Sequence, residues 1–122
     1  MTTKINLAEK FALIDEHWRP KLVGELNGQE VKLVKAKGVD FPFHHHDNED
    51  EMFLVVKGNL KLEFRDHMVE LAAGEFTIVP RGVEHRPVAE EVVEVMLFEP
   101  AALLNTGNIV DEKLTAPIGE KI

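Results

Sequence analysis

The chain has 122 residues, which is enough for one domain with a hydrophobic core and too few for two. Its formal charge of −8 and its scattered Lys and Arg residues argue against nucleic acid or an anionic membrane as a partner. It contains no cysteine, and no apolar run reaches the length of a membrane span or resembles a cleavable signal. We therefore expect a soluble, cytoplasmic, single-domain protein.

The N-terminal segment, residues 1–29, begins with a pattern that predicts a short helix. Leu7, Phe11 and Ile14 fall on one helical face. Asn6 is a suitable N-cap for this helix, and Glu9 follows it by three residues. We expect the apolar face of this helix to pack against the rest of the domain.

A hairpin should follow the helix. The dipeptide Asn27-Gly28 strongly favours a tight turn between antiparallel strands, and the sequences VGEL and VKLV flank it. Trp18, which precedes the hairpin, is expected in the core or at its rim.

The region from about residue 30 to 100 reads as successive short strands, which indicates a sandwich or a barrel. Residues 60–65 alternate between apolar and polar, as expected for a sheet with one solvated face. Residues 52–56 and 92–98 are apolar at nearly every position instead. Such strands need cover on both faces, which the other sheet surface, the N-terminal segment or a second subunit would have to provide.

The first candidate motif lies between Gly38 and Gly58. It reads Gly38, five residues, His44, one residue, His46, four residues, Glu51, six residues, Gly58. His44 and His46 leave the same face of an extended strand, and a turn after them would bring Glu51 back from the next strand. Two imidazoles and a carboxylate in this arrangement outline a metal site.

Strand alternation alone leaves the ligand choice open. Either His44 with His46, or His45 by itself, points inward on an extended strand. Glu49 and Asp50 compete with Glu51 in the same way, although only Glu51 lies six residues before Gly58 and stands at the entry to the apolar strand. We interpret residues 47–50 as a solvated turn.

A second motif begins at Gly74 and ends at His85. It reads Gly74, five residues, Pro80, one residue, Gly82, two residues, His85. Proline fixes φ and glycine permits a positive φ, so the segment from Pro80 to Gly82 predicts a tight turn that directs His85 back toward the first motif.

Together the two blocks resemble the two motifs of the cupin superfamily. The resemblance extends from residue 38 to residue 89, with fifteen residues between Gly58 and Gly74. It implies an all-β fold, a double-stranded β-helix or jelly-roll barrel. To this barrel the residue patterns add the short N-terminal helix and, because Gly, Pro and Asn occur there without periodicity, an irregular C-terminal arm at residues 101–122. The chain departs from the motif at Ala89, where Asn is frequent. The metal ligands that the resemblance implies are His44, His46, Glu51 and His85.

Three imidazoles and one carboxylate suit a divalent transition metal such as Fe, Mn, Ni, Co or Zn, with coordination positions left for a small-molecule ligand. No flavin or nicotinamide signature is present, and the sequence assigns no separate catalytic residue. Apolar residues are expected to line a cavity in the barrel, among them Phe43, Phe53, Val55 and either Phe76 or Ile78.

Three functional hypotheses follow from this reading. The first is a metal-dependent enzyme acting on a small polar molecule, resembling sugar or carbonyl isomerases, because Lys35, Arg81 and Arg86 flank the motifs and are candidates to hold an anionic substrate. The second is an Fe(II)-dependent dioxygenase. The third is a non-catalytic module that binds a ligand through the metal. In each case we expect a homodimer, as is usual for small cupins.

Overall fold

The computed structural model describes residues 2–101, 105–108 and 120–122. The described residues form one short helix and seven strands, joined mostly by short turns. Their bounds are α1 Leu7–Ala12, β1 Lys21–Leu26, β2 Gln29–Gly38, β3 Glu51–Lys57, β4 Asn59–Phe64, β5 Met68–Ala72, β6 Phe76–Val79 and β7 His85–Pro100. Within these ranges, no helix has the length and apolar character that crossing a membrane requires.

All strand pairs are antiparallel, and strand β7 joins two sheets. The larger sheet has the order β1-β2-β7-β3-β6, and β4 pairs with both β5 and β7. The beginning of β7 pairs with β4, and the rest of this long strand lies between β2 and β3. This arrangement confirms the all-β jelly-roll barrel that the sequence predicts.

The predicted helix and hairpin are both present. The Asn6 side chain accepts a hydrogen bond of 3.0 Å from the Glu9 amide, which caps α1. Phe11 and Ile14 are buried and pack against Leu33 on the outer face of the large sheet. The helix therefore covers part of the sheet surface for which the sequence required cover.

The hairpin turns where the sequence predicts it. Asn27 and Gly28 lie between β1 and β2, both with positive φ, at 51° and 79°. Two consecutive residues with positive φ suit the right-handed twist of the paired strands, and Asn-Gly adopts this conformation with little strain.

Strand β3 separates the interior of the barrel from the outer face. Phe53 and Val55 are buried in the main core, whereas Met52, Leu54 and Val56 are half-buried on the other face. This alternation begins at Glu51, which is 3% exposed and faces inward. The strand whose sequence is almost uniformly apolar thus has one fully buried face and one half-buried face in the structure.

The expectation that Phe76 or Ile78 lines the interior is wrong. Both side chains are more than half exposed, at 58% and 56%. Phe76 pairs with Leu54 and Ile78 pairs with Met52 in the register of β6 with β3, so both share the outer face. A strand of only four residues, three of them apolar, is too short for alternation to identify the inner face, and the cross-strand register decides it.

The C-terminal arm is described in two short pieces. Residues 105–108 form turns, and residues 120–122 run beside β1, where the Leu22 amide donates a 2.6 Å hydrogen bond to the Glu120 carbonyl. The expectation of an irregular arm holds for these pieces, and the remainder of the arm lies outside the described residues.

Candidate metal site

The structure brings together the four residues that the family resemblance selects. One ligand atom from each of His44, His46, Glu51 and His85 lies within 4.8 Å of the others. Their exposed fractions are only 2%, 5%, 3% and 0%. Four potential ligands therefore converge inside the barrel, with very little contact with solvent.

Backbone hydrogen bonds join the two motifs at the site. The His44 amide donates to the His85 carbonyl at 3.0 Å, and the His85 amide donates to the His44 carbonyl at 2.9 Å. This isolated bridge sets the two imidazoles side by side, with ring centroids 4.4 Å apart. Although residues 44–46 are not part of a named strand, the extended backbone at His44 supports the predicted alternation.

The turn of the second motif also holds the first motif in place. Gly82 has a φ of 77°, and its amide donates a 2.8 Å hydrogen bond to the His46 carbonyl. The Arg81 amide donates to the Asp50 carboxylate at 2.9 Å, next to Glu51. The predicted turn thus contacts the backbone of His46, just before the acidic segment, and the side chain of Asp50 at its end.

The imidazoles of His44 and His85 are each oriented by a hydrogen bond between Nδ1 and a backbone carbonyl. His44 Nδ1 lies 3.0 Å from the Pro42 carbonyl and His85 Nδ1 lies 2.9 Å from the Val83 carbonyl. A carbonyl oxygen only accepts, so Nδ1 carries the proton in both rings and Nε2 keeps a free lone pair. This tautomer leaves Nε2 available to bind a metal.

The atoms at the centre of the cluster fit a cation. Glu51 Oε1 lies 3.3 Å from His46 Nε2 and 3.4 Å from His85 Nε2. Among the described residues, none of these three buried atoms has a hydrogen-bond partner of good geometry. Each orphaned buried polar atom costs about 1–3 kcal/mol, and a metal ion bound between them would remove that cost. The donor set suits a divalent transition metal.

The electrostatics of the site favour neutral imidazole and ionised carboxylate. Burial, together with repulsion from His85, lowers the pKa of His44 from 6.5 to about 4. Burial alone would raise the pKa of Glu51, but its interactions with Glu99 and with the nearby imidazoles of His46 and His85 outweigh burial and hold the pKa well below the ordinary value. These are the protonation states in which both groups bind metals.

A buried charged network adjoins Glu51, and the sequence analysis missed it. Glu99 is 1% exposed and hydrogen bonds with Glu51, and Lys32 Nζ lies 3.1 Å from Glu99 Oε1. Burial and the charge of Glu51 raise the pKa of Glu99 well above its ordinary value. The alternation along β7 could have predicted the burial of Glu99. Val95 and Leu97 face inward, and Glu99 is the next residue on the same face of the strand.

A mostly apolar cavity reaches the cluster. His44 and Glu51 form part of its wall, and the rest is lined mainly by apolar side chains that include Trp18, Phe41 and Phe53. Phe53 was predicted at this position. Phe76, Ile78 and Phe43, which the sequence analysis considered for the lining, are not among the cavity-lining residues.

Phe43 does not line the cavity. It is only half-buried, and its ring lies under the guanidinium groups of Arg65 and Arg86, at 4.0 Å and 4.8 Å. Val55 is buried in the main core and is not among the cavity-lining residues. Phe43 follows Pro42 in an irregular segment, where strand alternation does not predict side-chain direction.

The three cations that flank the motifs are engaged in other contacts. Lys35 Nζ donates to the Ile14 carbonyl at 2.8 Å. Arg81 pairs with Asp50 at 3.4 Å. Arg86 pairs with Glu63 at 2.7 Å. None of these three residues lines the cavity, so the structure offers no support for an anionic substrate held by them.

The competing histidine and acidic residues stay outside the cluster. His45 is partly exposed and its Nε2 lies 2.9 Å from Asp47. This agrees with the selection of His44 and His46, rather than His45, as ligands. Asp50 is exposed and interacts with Arg81. The solvated turn predicted at residues 47–50 is therefore confirmed.

Comparisons with known proteins agree with the fold and the motifs. Residues 31–99 match the family model of the cupin domain. A cupin-2 domain containing protein from Shewanella frigidimarina NCIMB 400 is 44% identical, with a TM-score of 0.76 over 79% of this chain and 93% of that one. Protein NMB1881 from Neisseria meningitidis is 32% identical, with a TM-score of 0.73 over 81% and 100% of the two chains.

The chain therefore belongs to the cupin family, as a small protein with one recognised cupin domain. It is also 34% identical over 65 residues to the uncharacterized protein YdbB of Bacillus subtilis (strain 168), a match that covers 52% of this chain. The chain spans 57% of the length of that relative. Cupins usually bind a transition metal, and the His and Glu cluster is a possible site for one.

Proposed function

We propose that this protein is a metal-dependent oxygenase for a small enol, diketone or catechol whose remaining surface is largely apolar. One observation carries the proposal. The cavity beside the four-residue cluster is lined by apolar side chains, and the only titratable side chains among its described lining residues are His44 and Glu51, which belong to the cluster.

The cluster supplies the binding site. His44, His46, Glu51 and His85 would hold the ion, and their burial excludes bulk water from it. A divalent transition metal supplies a Lewis acid and, when it is iron, the redox chemistry of oxygenation. The Pro42 and Val83 carbonyls orient the imidazoles of His44 and His85, and the surroundings lower the pKa of His44 and of Glu51, which favours the states in which these two groups bind metals.

The lining argues for this substrate class. A phosphate or a sugar needs cations or many hydrogen-bond partners, whereas Trp18, Phe41 and Phe53 offer apolar contact. The isomerase hypothesis depended on Lys35, Arg81 and Arg86 as residues that hold an anionic substrate, and all three are engaged elsewhere. An isomerase also needs a general base beside the substrate, and the described lining has no titratable residue outside the cluster.

The experiment loads metal-free protein anaerobically with Fe(II) or Zn(II) and adds enols, β-diketones and catechols. Substrate-dependent O₂ uptake with Fe(II), absent with Zn(II), is the expected result. Turnover with Zn(II) in the absence of O₂ would instead establish a Lewis-acid isomerase. Saturable ligand binding without turnover for either metal would leave the non-catalytic binding module as the function.

A further inference from the structure

A short C-terminal segment lies directly against the proposed metal ligands. We call residues 105–108 the C-terminal strap. The Asn105 side chain lines the cavity and donates a 3.0 Å hydrogen bond to the Trp18 carbonyl. Thr106 is fully buried. The strap is therefore packed on the barrel beside the site, although it is more than sixty residues from His44 and lies outside both cupin motifs.

The strap holds His45 through two hydrogen bonds. The His45 amide donates to Asn108 Oδ1 at 3.0 Å, and the Asn108 amide donates to the His45 carbonyl at 3.2 Å. His45 stands between His44 and His46, the two proposed ligands from the first motif. Both backbone groups of the intervening residue are thus fixed by Asn108.

Gly107 allows the strap to approach this closely. Its φ of 58° lies in the left-handed region, and a Cβ atom added there would overlap the His45 carbonyl oxygen and lie 3.1 Å from His44 Cδ2. In an imidazole, Cδ2 is bonded to Nε2, which is the nitrogen that His44 has available for a metal. Gly107 therefore stands against the edge of a proposed ligand ring.

We propose that the C-terminal strap is a functional part of the metal site, with Gly107 and Asn108 as positioning residues. They fix the backbone between the paired histidines and limit the tilt of the His44 ring, so that its Nε2 stays directed toward His46, Glu51 and His85. This inference rests on the metal-binding function proposed above. It concerns residues that contact His44 or His45 but do not themselves coordinate the metal.

The main test compares two glycine substitutions. Gly107→Ala introduces a methyl group against His44 and His45. Gly74→Ala is the matched control, because Gly74 also has a positive φ, of 86°, but an added Cβ would meet no atom within 4 Å. Both variants carry left-handed backbone strain, and only Gly107→Ala disturbs the ligand segment.

The readouts are the Co(II) dissociation constant, obtained by competition with a chelator, and the visible absorption spectrum of the Co(II) protein. We expect Gly107→Ala to weaken Co(II) binding roughly tenfold and to change the spectrum, as losses of groups that orient metal ligands do. Gly74→Ala should match the unsubstituted protein in both measurements. Equal Co(II) affinity and identical spectra for the two variants would overturn the proposal.

A second pair of variants tests the hydrogen bond and does not depend on Gly107→Ala folding. Asn108→Ala removes the acceptor for the His45 amide, whereas Asn108→Asp keeps an acceptor oxygen at the same position. We expect weaker Co(II) binding in Asn108→Ala and recovery in Asn108→Asp. Unchanged binding in Asn108→Ala would contradict the role of Asn108.

Failure of the unsubstituted protein to bind Co(II) would refute the metal-binding function itself. Normal Co(II) binding that is insensitive to Gly107→Ala and Asn108→Ala would refute only the role of the strap. The two failures are therefore distinguishable in the same titration.

Discussion

At the scale of single residues, the site depends on which of several identical side chains face inward. His44 and His46 are almost completely buried, and His45 between them pairs with exposed Asp47. The orientation is fixed by backbone contacts from distant residues, since Gly82 bonds to the His46 carbonyl and the amide of His85 bonds to the His44 carbonyl. Substitutions within the triplet should therefore have unequal effects.

His44→Ala, His46→Ala and His85→Ala should each reduce the metal bound per chain sharply, because each removes one of four proposed ligands. Elemental analysis of the purified variants measures this. His45→Ala is the matched control within the same triplet, and His67→Ala is a second control on an exposed turn. Equal loss of metal in His45→Ala would contradict the assignment.

His44 should contribute a loss of stability to the metal-free protein as the pH falls from about 6.5 to about 4, while Glu99, whose pKa is raised in the fold, acts in the opposite direction. In this range His44 accepts a proton in the unfolded chain but stays neutral when folded, since its folded pKa is about 4. The unfolded state then binds more protons, so the free energy of unfolding decreases by about 3 kcal/mol for the full shift. Glu51, whose pKa is depressed in the fold, adds a further loss below its ordinary pKa of 4.5.

Urea denaturation of the metal-free protein at several pH values measures this dependence. His44→Gln should have a shallower decline between pH 6.5 and pH 4, because glutamine does not titrate. The same slope in both proteins would show that another group is responsible.

At the scale of elements, the short helix α1 is stable because it packs on the sheet. An isolated helix of six residues is far too short to form in water. Here Phe11 and Ile14 are buried against Leu33, and Lys10 Nζ reaches the Ile122 carbonyl at 2.9 Å. The helix and the last described residues therefore contribute to one small cluster on the outer face.

Phe11→Ala should destabilise the protein by about 3–5 kcal/mol, because Phe11 is 1% exposed and its removal leaves a cavity between helix and sheet. Chemical denaturation measures the loss. Leu13→Ala is the control on the same segment, since Leu13 is 64% exposed and its truncation should change stability by less than about 0.5 kcal/mol. Similar effects of the two substitutions would mean that the helix does not cover the sheet in solution.

At the scale of the whole molecule, part of the outer sheet face stays apolar and open to solvent. Phe76 and Ile78 on the edge strand β6 are more than half exposed, and Met52 and Leu54 lie beside them on β3. The α1 cluster covers the β2 side of this face. Contiguous exposed apolar strips of this kind mark interaction surfaces.

We propose that a second copy of the chain covers this strip, as the predicted homodimer. A two-fold axis would stack two identical sheet faces, and each copy would bury the apolar residues of the other. Light scattering should give twice the 13.8 kDa of one chain. Ile78→Asp should shift the mass to that of a monomer.

Val39→Asp is the control for this prediction, because Val39 is an apolar side chain with a similar exposure of 60% that is not part of the strip. It should leave the dimer intact. A mass of 13.8 kDa for the unsubstituted protein at micromolar concentration would contradict the homodimer.

The sequence by itself determined the fold class and the candidate site. Turn residues at Asn27-Gly28 and Pro80 to Gly82, together with alternation along the strands, are local signals that act within a few residues. The spacing of His44, His46, Glu51 and His85 matches a pattern of known relatives. These features need no knowledge of which strand lies beside which.

The tertiary structure decided the features that depend on strand register and long-range contact. Phe76 and Ile78 face outward because β6 pairs with β3 in one particular register. Glu99 reaches Glu51 because β7 lies beside β3. The strap reaches His45 across 63 positions of sequence. No local propensity encodes such pairings, because they arise only when the whole barrel buries its core.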